Sequence, residues 1–269
     1  MFGLRSIGIA SDILALGDRA QVEAHPDRVV LRTPAEPDFW SGNKVIFRSG
    51  DVDAQAQVAR FEADFPRADH VTLEWDATDM GDGPGLAALA EAGFEIDRSD
   101  VLACEGPPLA AAAPEGIALR VIESAEDWAA VEALQLETGL EEGHAPDMLT
   151  PFITRRMESR RRQSAAGEGV WVGAFEGGRL VGDMGLVLGP GILRYQSVET
   201  RASHRGRGIC PALLHFAALW GLERRAGATL VIIADAGERA ARVYRRQGFA
   251  PVETIVSAMR RPDAAVSAP

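Results

Sequence analysis

"SHRGRGICPALL", residues 203–214, sets Arg205, Gly206, Arg207 and Gly208 directly ahead of an apolar run. Ile209, Leu213, Leu214, Ala217, Ala218 and Leu222 then recur at helical spacing, which predicts a helix of about four turns beginning near residues 207–208. Upstream, "GILRYQSVET" (191–200) reads as a strand, and downstream "ATLVIIADA" (228–236) reads as a buried one. The order is strand, glycine-bearing loop, helix, strand. Glycines at a helix start let a ligand approach the backbone, and the exposed N–H groups with the positive helix end favour an anion. That arrangement suits a phosphate. By itself the unit is shared by P-loops and dinucleotide sites. A P-loop is excluded because no Lys-Ser or Lys-Thr pair follows the glycines, and a dinucleotide fingerprint would put its third small residue on Pro211.

Outward from this core the elements follow in order. "GVWVGAFE" (169–176) and "RLVGDMGLVLG" (179–189) are two apolar runs joined by Gly177 and Gly178, the pattern of an antiparallel hairpin. Before them, "IALRVI" (117–122) predicts a strand and "SAEDWAAVEALQLET" (124–138) a helix with Ser124 as N-cap. "TPFITRRMESRRRQ" (150–163) predicts a second helix whose arginines read mostly as a solvated face. "CEGPPLAAAAPEG" (104–116) is rich in Pro, Ala and Gly, poor material for a core, and marks a linker over 106–116. The expected division is a domain over 1–105, the linker, a domain over 117–262 and a flexible tail at 263–269.

A second motif lies downstream. "DAGERAARVYRRQGFAPVE" (235–253) carries Gly237, Ala240, Tyr244, Gly248 and Phe249 at spacings that, together with "SVETRASHRGRGIC" (197–210), resemble the two signatures of the GNAT family of N-acetyltransferases. In the first signature Arg205, Gly208 and Cys210 take the Arg/Gln-x-x-Gly-x-Gly/Ala positions, with cysteine where Gly or Ala is usual. In the second, Gly237 stands where asparagine is common. The resemblance spans about residues 117–262. It implies an α/β fold with a mixed sheet, the GNAT acyl-CoA N-acyltransferase fold, in which the strands near 192–199 and 228–235 splay around the cofactor.

The resemblance further implies direct transfer of an acetyl group from acetyl-CoA to a primary amine, with no metal. The N–H groups around Gly206, Arg207, Gly208, Ile209 and Cys210 would bind the pyrophosphate, aided by the charges of Arg205 and Arg207. The backbone of Val198 would pair with the pantetheine, and Gly237 and Ala240 would lie along it. Tyr244 would protonate the leaving thiolate; Tyr195, the chain's other tyrosine, reads as core. No motif fixes the general base: Glu199 at the end of the cofactor strand is the first candidate and Asp183 the second. His204 reads as exposed, and Cys210 as a small helix-start residue. In this family the junction of the first two helices lines the acceptor pocket, here "TGLEEGHAPDMLTPF", where Glu141, Glu142, His144 and Asp147 would attract a cationic amine.

The first hundred residues repeat the pattern. "NKVIFRSGDVDAQAQVARFEADF" (43–65), "HVTLEWDA" (70–77) and "GLAALAEAGFEIDRS" (85–99) follow the same strand, loop, helix, strand, helix, Gly-Phe order. Here the loop carries acids in place of arginines, and Leu89 stands where Tyr244 would. Acids repel a pyrophosphate, so this half reads as a degenerate, smaller GNAT-like domain that does not bind CoA. It completes the scaffold or covers the acceptor site through "PDFWSGNK", with Trp40 and Asn43 the residues concerned.

Composition bounds the alternatives. A chain of 269 residues with 46% apolar and 25% charged residues reads as globular. A net charge of −11 argues against a nucleic-acid partner, and no apolar run reaches the roughly 18 residues of a membrane span. The apolar start "MFGLRSIGIASDILAL" is interrupted by Asp12 and lacks a cleavage site, so the expected location is cytoplasmic. Two cysteines, Cys104 and Cys210, supply neither a disulfide framework nor metal-ligand spacing. A non-catalytic acyl-CoA sensor and a dinucleotide-dependent oxidoreductase remain as other readings, and a homodimer stays open.

Overall fold

The computed structural model describes residues 2–235 and 239–262. In chain order the elements are α1 (Ile7–Leu16), β1 (Gln21–Ala24), β2 (Arg28–Arg32), β3 (Lys44–Phe47), α2 (Ala54–Asp64), β4 (Val71–Trp75), α3 (Pro84–Glu91) and β5 (Glu95–Glu105). There follow β6 (Ile117–Val121), α4 (Ala125–Glu141), α5 (Pro146–Ala165), β7 (Gly169–Glu176), β8 (Arg179–Leu188) and β9 (Ile192–Thr200). The last are α6 (Ile209–Arg224), β10 (Thr229–Asp235), α7 (Arg239–Arg246) and β11 (Ala250–Arg260). Both halves are mixed sheets with helices, as the fold class expects. Among the described residues no helix is long and apolar enough to cross a membrane.

The chain divides into two compact units. One is Met1–Val101 with the described residues of Ile233–Glu238 and Pro251–Pro269; the other is Leu102–Ile232 with Arg239–Ala250. This differs from the contiguous division expected from the linker. The reason is backbone pairing: β11, the last strand among the described residues, runs antiparallel to β4 with Ser257 opposite Glu74 and Arg260 opposite Val71. Val256 and Ala258 complete the first unit's core with Val45, Phe61, Leu73, Trp75 and Leu89. Residues 106–116 do lack helix and strand, but they are fastened within the second unit: the Leu109 N–H donates to the Gln247 carbonyl, and the Pro108 carbonyl lies 3.1 Å from His215 Nδ1. The tail at 263–269 lies outside the described residues.

In the first unit β1, β2 and β3 form an antiparallel meander and β4 joins β3 in parallel. The apolar start of the chain is α1, whose Ile9, Ile13 and Leu16 are buried. Its N-terminus is held by two carboxylates. Asp76 accepts from the N–H groups of Arg5 and Ser6, and Glu253 from those of Ile7 and Gly8 and from the Ser6 hydroxyl. These are the donors that a helix start leaves unpaired.

In the second unit β6, β7, β8 and β9 form the meander and β10 runs parallel to β9. Gly177 and Gly178 turn the β7–β8 hairpin, both at positive φ as a two-residue turn requires. Ser124 caps α4 as expected, accepting from the Asp127 N–H at 3.1 Å. One sheet face is covered by α4 and α5 through Trp128, Val131, Leu134, Ile153 and Met157 against Trp171 and Phe175. α6 packs elsewhere, bringing Gly221 so close to Leu186 and Leu193 that a Cβ there would sit 2.6 Å from a Leu186 methyl.

Candidate active site

The site begins with an irregularity in β9. Opposite β8, Thr200 pairs with Gly182 and Glu199 with Asp183, but the next pair is Gln196 with Gly185. Two residues of β9, Ser197 and Val198, therefore face one residue of β8, and Ser197 takes φ +46. This is a β-bulge, a device that bends a strand and locally disrupts its ladder. On the other edge, β9 pairs with β10 only from Ile192 to Arg194, although β9 continues for six more residues. The half-buried backbone at Val198 is thus released from the ladder where the splayed strands were expected.

The released strand leads into a short 3-10 turn at Ala202–His204 and then into α6. Gly206 and Gly208 stand at φ +79 and +86, left-handed conformations that any side chain resists. Neither is glycine for want of room. A Cβ at Gly206 would meet nothing within 4 Å, and one at Gly208 only Pro114 at 3.9 Å. Glycine is needed for the path of the chain, which leaves residues 205–208 exposed. No side chain caps α6, and no acid lies in its first turn. Among the described residues, the N–H groups of Gly206, Arg207, Gly208, Ile209 and Cys210 find no partner. Pro211 has no N–H to offer, so the open donors end at Cys210.

The matching place in the first unit is closed. Asp53 caps α2, its Oδ1 accepting from the Ala56 N–H at 3.0 Å. The parallel β3–β4 pairing runs through to Phe47 and Trp75, and the Asp76 N–H then donates to the Phe47 carbonyl. The strands do not part, and the helix start already holds an anion of its own.

Around the loop of the second unit, Arg205 donates to the Thr200 carbonyl and to Glu141, tying the end of α4 to the loop. Arg207 pairs with Glu176, which also faces His204 Nε2 at 2.9 Å. Hydrogen bonds from Arg207 and then from His204 hold the Glu176 carboxyl down at about 2. His204 is buried rather than exposed, because Glu176 at the end of β7 draws the ring in. Ile209 is buried, and Cys210 is half-buried with its thiol pushed up to about 12 by burial, so it offers no thiolate.

Tyr244, on α7, is 6% exposed, its ring edge-on to Phe249. Tyr195 is fully buried with its hydroxyl bonded to the Leu214 carbonyl, a core residue as read. Ala240 lies in the first turn of α7, half-buried; Gly237 is outside the described residues.

Glu199 is half-buried. Burial, then the neighbouring charge of Glu142, raises its carboxyl above the usual range, while Thr138, Arg156 and Arg205 pull it back. Asp183, opposite it, is completely buried and is pushed up to about 8. Glu141, Glu142, His144 and Asp147 are exposed at the α4–α5 junction, with Leu140 and Met148 as exposed apolar neighbours.

Several contributors were not singled out in the sequence. Arg155, Arg161 and Arg162 of α5 are exposed, but Arg160 is buried and donates to Gln196, and Arg156 donates to the Ser197 hydroxyl in the bulge. Their signal was their i, i+4 spacing beside the buried Ile153 and Met157. Gln135 and Trp171 bond Asp183, and nothing in their local sequence marks them. In the first unit Asn43 is committed to its own loop: its amide donates to Thr33, Glu36 and Phe39, and its oxygen accepts from the Thr33 N–H. Among the described residues no group of three His, Cys, Asp or Glu could hold a metal.

The profile of the Acetyltransferase (GNAT) family matches residues 128–249. No curated protein matches the chain by sequence. Solved structures share the fold. A GCN5-related N-acetyltransferase from Kribbella flavida is 22% identical with a TM-score of 0.66, over 97% of this chain and 99% of that one. A functionally unknown conserved protein from Staphylococcus epidermidis is 12% identical with a TM-score of 0.71, over 91% and 95%. A tandem GNAT protein from the clavulanic acid biosynthesis pathway is 14% identical with a TM-score of 0.58, over 95% and 88%. The bulged strand, the uncapped helix and the family profile coincide on one stretch, and residues 128–249 form a domain of the Acetyltransferase (GNAT) family.

Proposed function

We propose that the second unit transfers an acetyl group from acetyl-CoA to a primary amine by direct attack. The observation that carries this reading is the contrast between two helix starts in one chain. α2 is capped by Asp53, whereas α6 has unpaired N–H groups beside two left-handed glycines and a strand whose pairing with β10 has ended. The donors of residues 206–210 and the guanidinium of Arg205 fit a diphosphate in number and charge. The freed backbone at Val198 fits the amide-bearing arm of the cofactor, with Gly237 and Ala240 near the same arm by family analogy.

Bound acetyl-CoA would supply the activated acyl carbon. The protein's own part is proton handling and positioning. Glu199 takes a proton at its carboxylate from the incoming ammonium, and Tyr244 holds one at its hydroxyl for the leaving group. Glu142 and the exposed acids of the α4–α5 junction favour a cationic acceptor.

The deciding experiment is a thiol-release assay with acetyl-CoA and a panel of amines, the products identified by mass spectrometry, alongside calorimetric titration of CoA. Release that depends on the amine supports the transferase. CoA binding without release with any amine makes the chain an acyl-CoA binder, and no CoA binding removes both readings.

A further inference from the structure

Asp183 is a fully buried carboxyl that the reaction described above does not use. Its Oδ1 accepts from Trp171 Nε1 at 2.8 Å and from Gln135 Nε2 at 2.9 Å. Its Oδ2 is buried and, among the described residues, has no partner. Across the antiparallel ladder Asp183 stands directly opposite Glu199. Opposed residues point to the same sheet face with Cβ atoms about 4.5–5.5 Å apart. Two carboxylates borne on such neighbouring Cβ atoms, one without water, cannot both ionise cheaply.

We infer that Asp183 and Glu199 form a coupled carboxyl pair in which Asp183 keeps the proton and acts as a positioning residue for Glu199, leaving the pair one negative charge toward the acceptor amine. The surrounding charges agree. Arg156 from α5 acts on both carboxyls, Arg205 from the loop acts on Glu199, and Glu142 from the end of α4 opposes Glu199. Trp171 from β7 and Gln135 from α4 bring no charge. Among these described residues, three carboxyls face two guanidiniums, and these charges balance when the least solvated acid is neutral. Arg156 and Arg205 are meanwhile engaged with Ser197 and Glu141, so neither is dedicated to Asp183. Burial, with the charge of Glu199 adding to it, keeps the Asp183 proton in place up to about pH 8.

The consequence for catalysis rests on the transferase reading. With Asp183 neutral, the N–H bond of the ammonium breaks and an O–H bond forms on Glu199, while the Asp183 proton stays where it is. Above about pH 8 the pair becomes a dianion. Glu199 then binds its proton more tightly, passes it to water less readily, and turnover falls.

The indole proton of Trp171 reports Asp183 directly, because Nε1 donates to it. In the full-length ¹⁵N-labelled protein, with Trp171→Phe to assign the resonance, that proton should titrate with a midpoint near 8. The step should vanish in Asp183→Asn, which retains an acceptor oxygen, and should move down by about a unit or more in Glu199→Gln. Absence of a step between pH 5 and 10, or a midpoint unmoved in Glu199→Gln, overturns the pair. In kinetics with one saturating amine, kcat should decline above pH 8 in the native protein and stay level to pH 9.5 in Asp183→Asn; an unchanged decline overturns the positioning role. A chain that releases no thiol with any amine loses the transferase reading, while the Trp171 titration still decides the pair.

Discussion

Burying a carboxyl without a cation of its own has a measurable cost. Asp183 ionises near pH 4 in the unfolded chain and near 8 in the folded one, so between these values the folded state binds more protons. Stability from this group therefore falls as pH rises through that window, by at most about 1.4 kcal/mol per pH unit. Asp183→Asn removes the penalty. Its melting temperature should gain on that of the native protein steadily from pH 5 to pH 8, a trend that differential scanning calorimetry reads directly. Tyr244→Phe keeps the packing against Phe249 and removes only the hydroxyl. Turnover should drop roughly 10²- to 10⁴-fold, with CoA affinity changed less than about twofold, as single-turnover kinetics and calorimetry would register. These roles were unevenly legible in the sequence. Tyr244 stood out through its motif, whereas the burial of Asp183 depends on Gln135 and Trp171, which lie 48 and 12 residues away.

The two helix starts behave as opposites, and one substitution in each separates structure from binding. Asp53→Ala in α2 removes a cap, costing about 1 kcal/mol of stability without changing CoA affinity. In α6, Gly208→Ala forces a side chain into a left-handed backbone, a strain of about 1–2 kcal/mol, at the point proposed to meet the diphosphate. CoA affinity should fall more than tenfold by calorimetry, and an unchanged affinity would remove residues 206–210 from the site. The glycines and the acids of these loops were readable locally because backbone access and charge at a helix start are properties of a few consecutive residues. The β9 bulge was not, since "RYQSVET" alternates acceptably as a strand and the extra residue exists only relative to β8.

On the scale of the whole molecule, the first unit is not closed by the first hundred residues. β11 supplies a strand for β4, Val256 and Ala258 for the core, and Glu253 for the start of α1. A chain ending at residue 250 should lose the cooperative unfolding of the first unit. The emission of Trp75, fully buried there, should shift to the red before denaturant is added, as a Trp75→Phe control would verify. Glu253→Ala should be milder, about 1–3 kcal/mol, because it leaves backbone donors unpaired while sparing the strand.

By itself the sequence determined most helices and strands of the second unit, the glycine-bearing helix start at Gly206 and Gly208, and which helix start repels or invites an anion. All of these follow from backbone sterics and neighbouring charge within a few residues. Tertiary structure alone decided that β11 pairs with β4, that Arg156 and Arg160 turn inward to β9, that His204 is drawn in by Glu176, and that Asp183, itself out of reach of water, stands opposite Glu199. Those outcomes depend on which strand edge and which buried partner stand opposite. Alternation along one strand encodes the face a residue takes, and never the residue it will face.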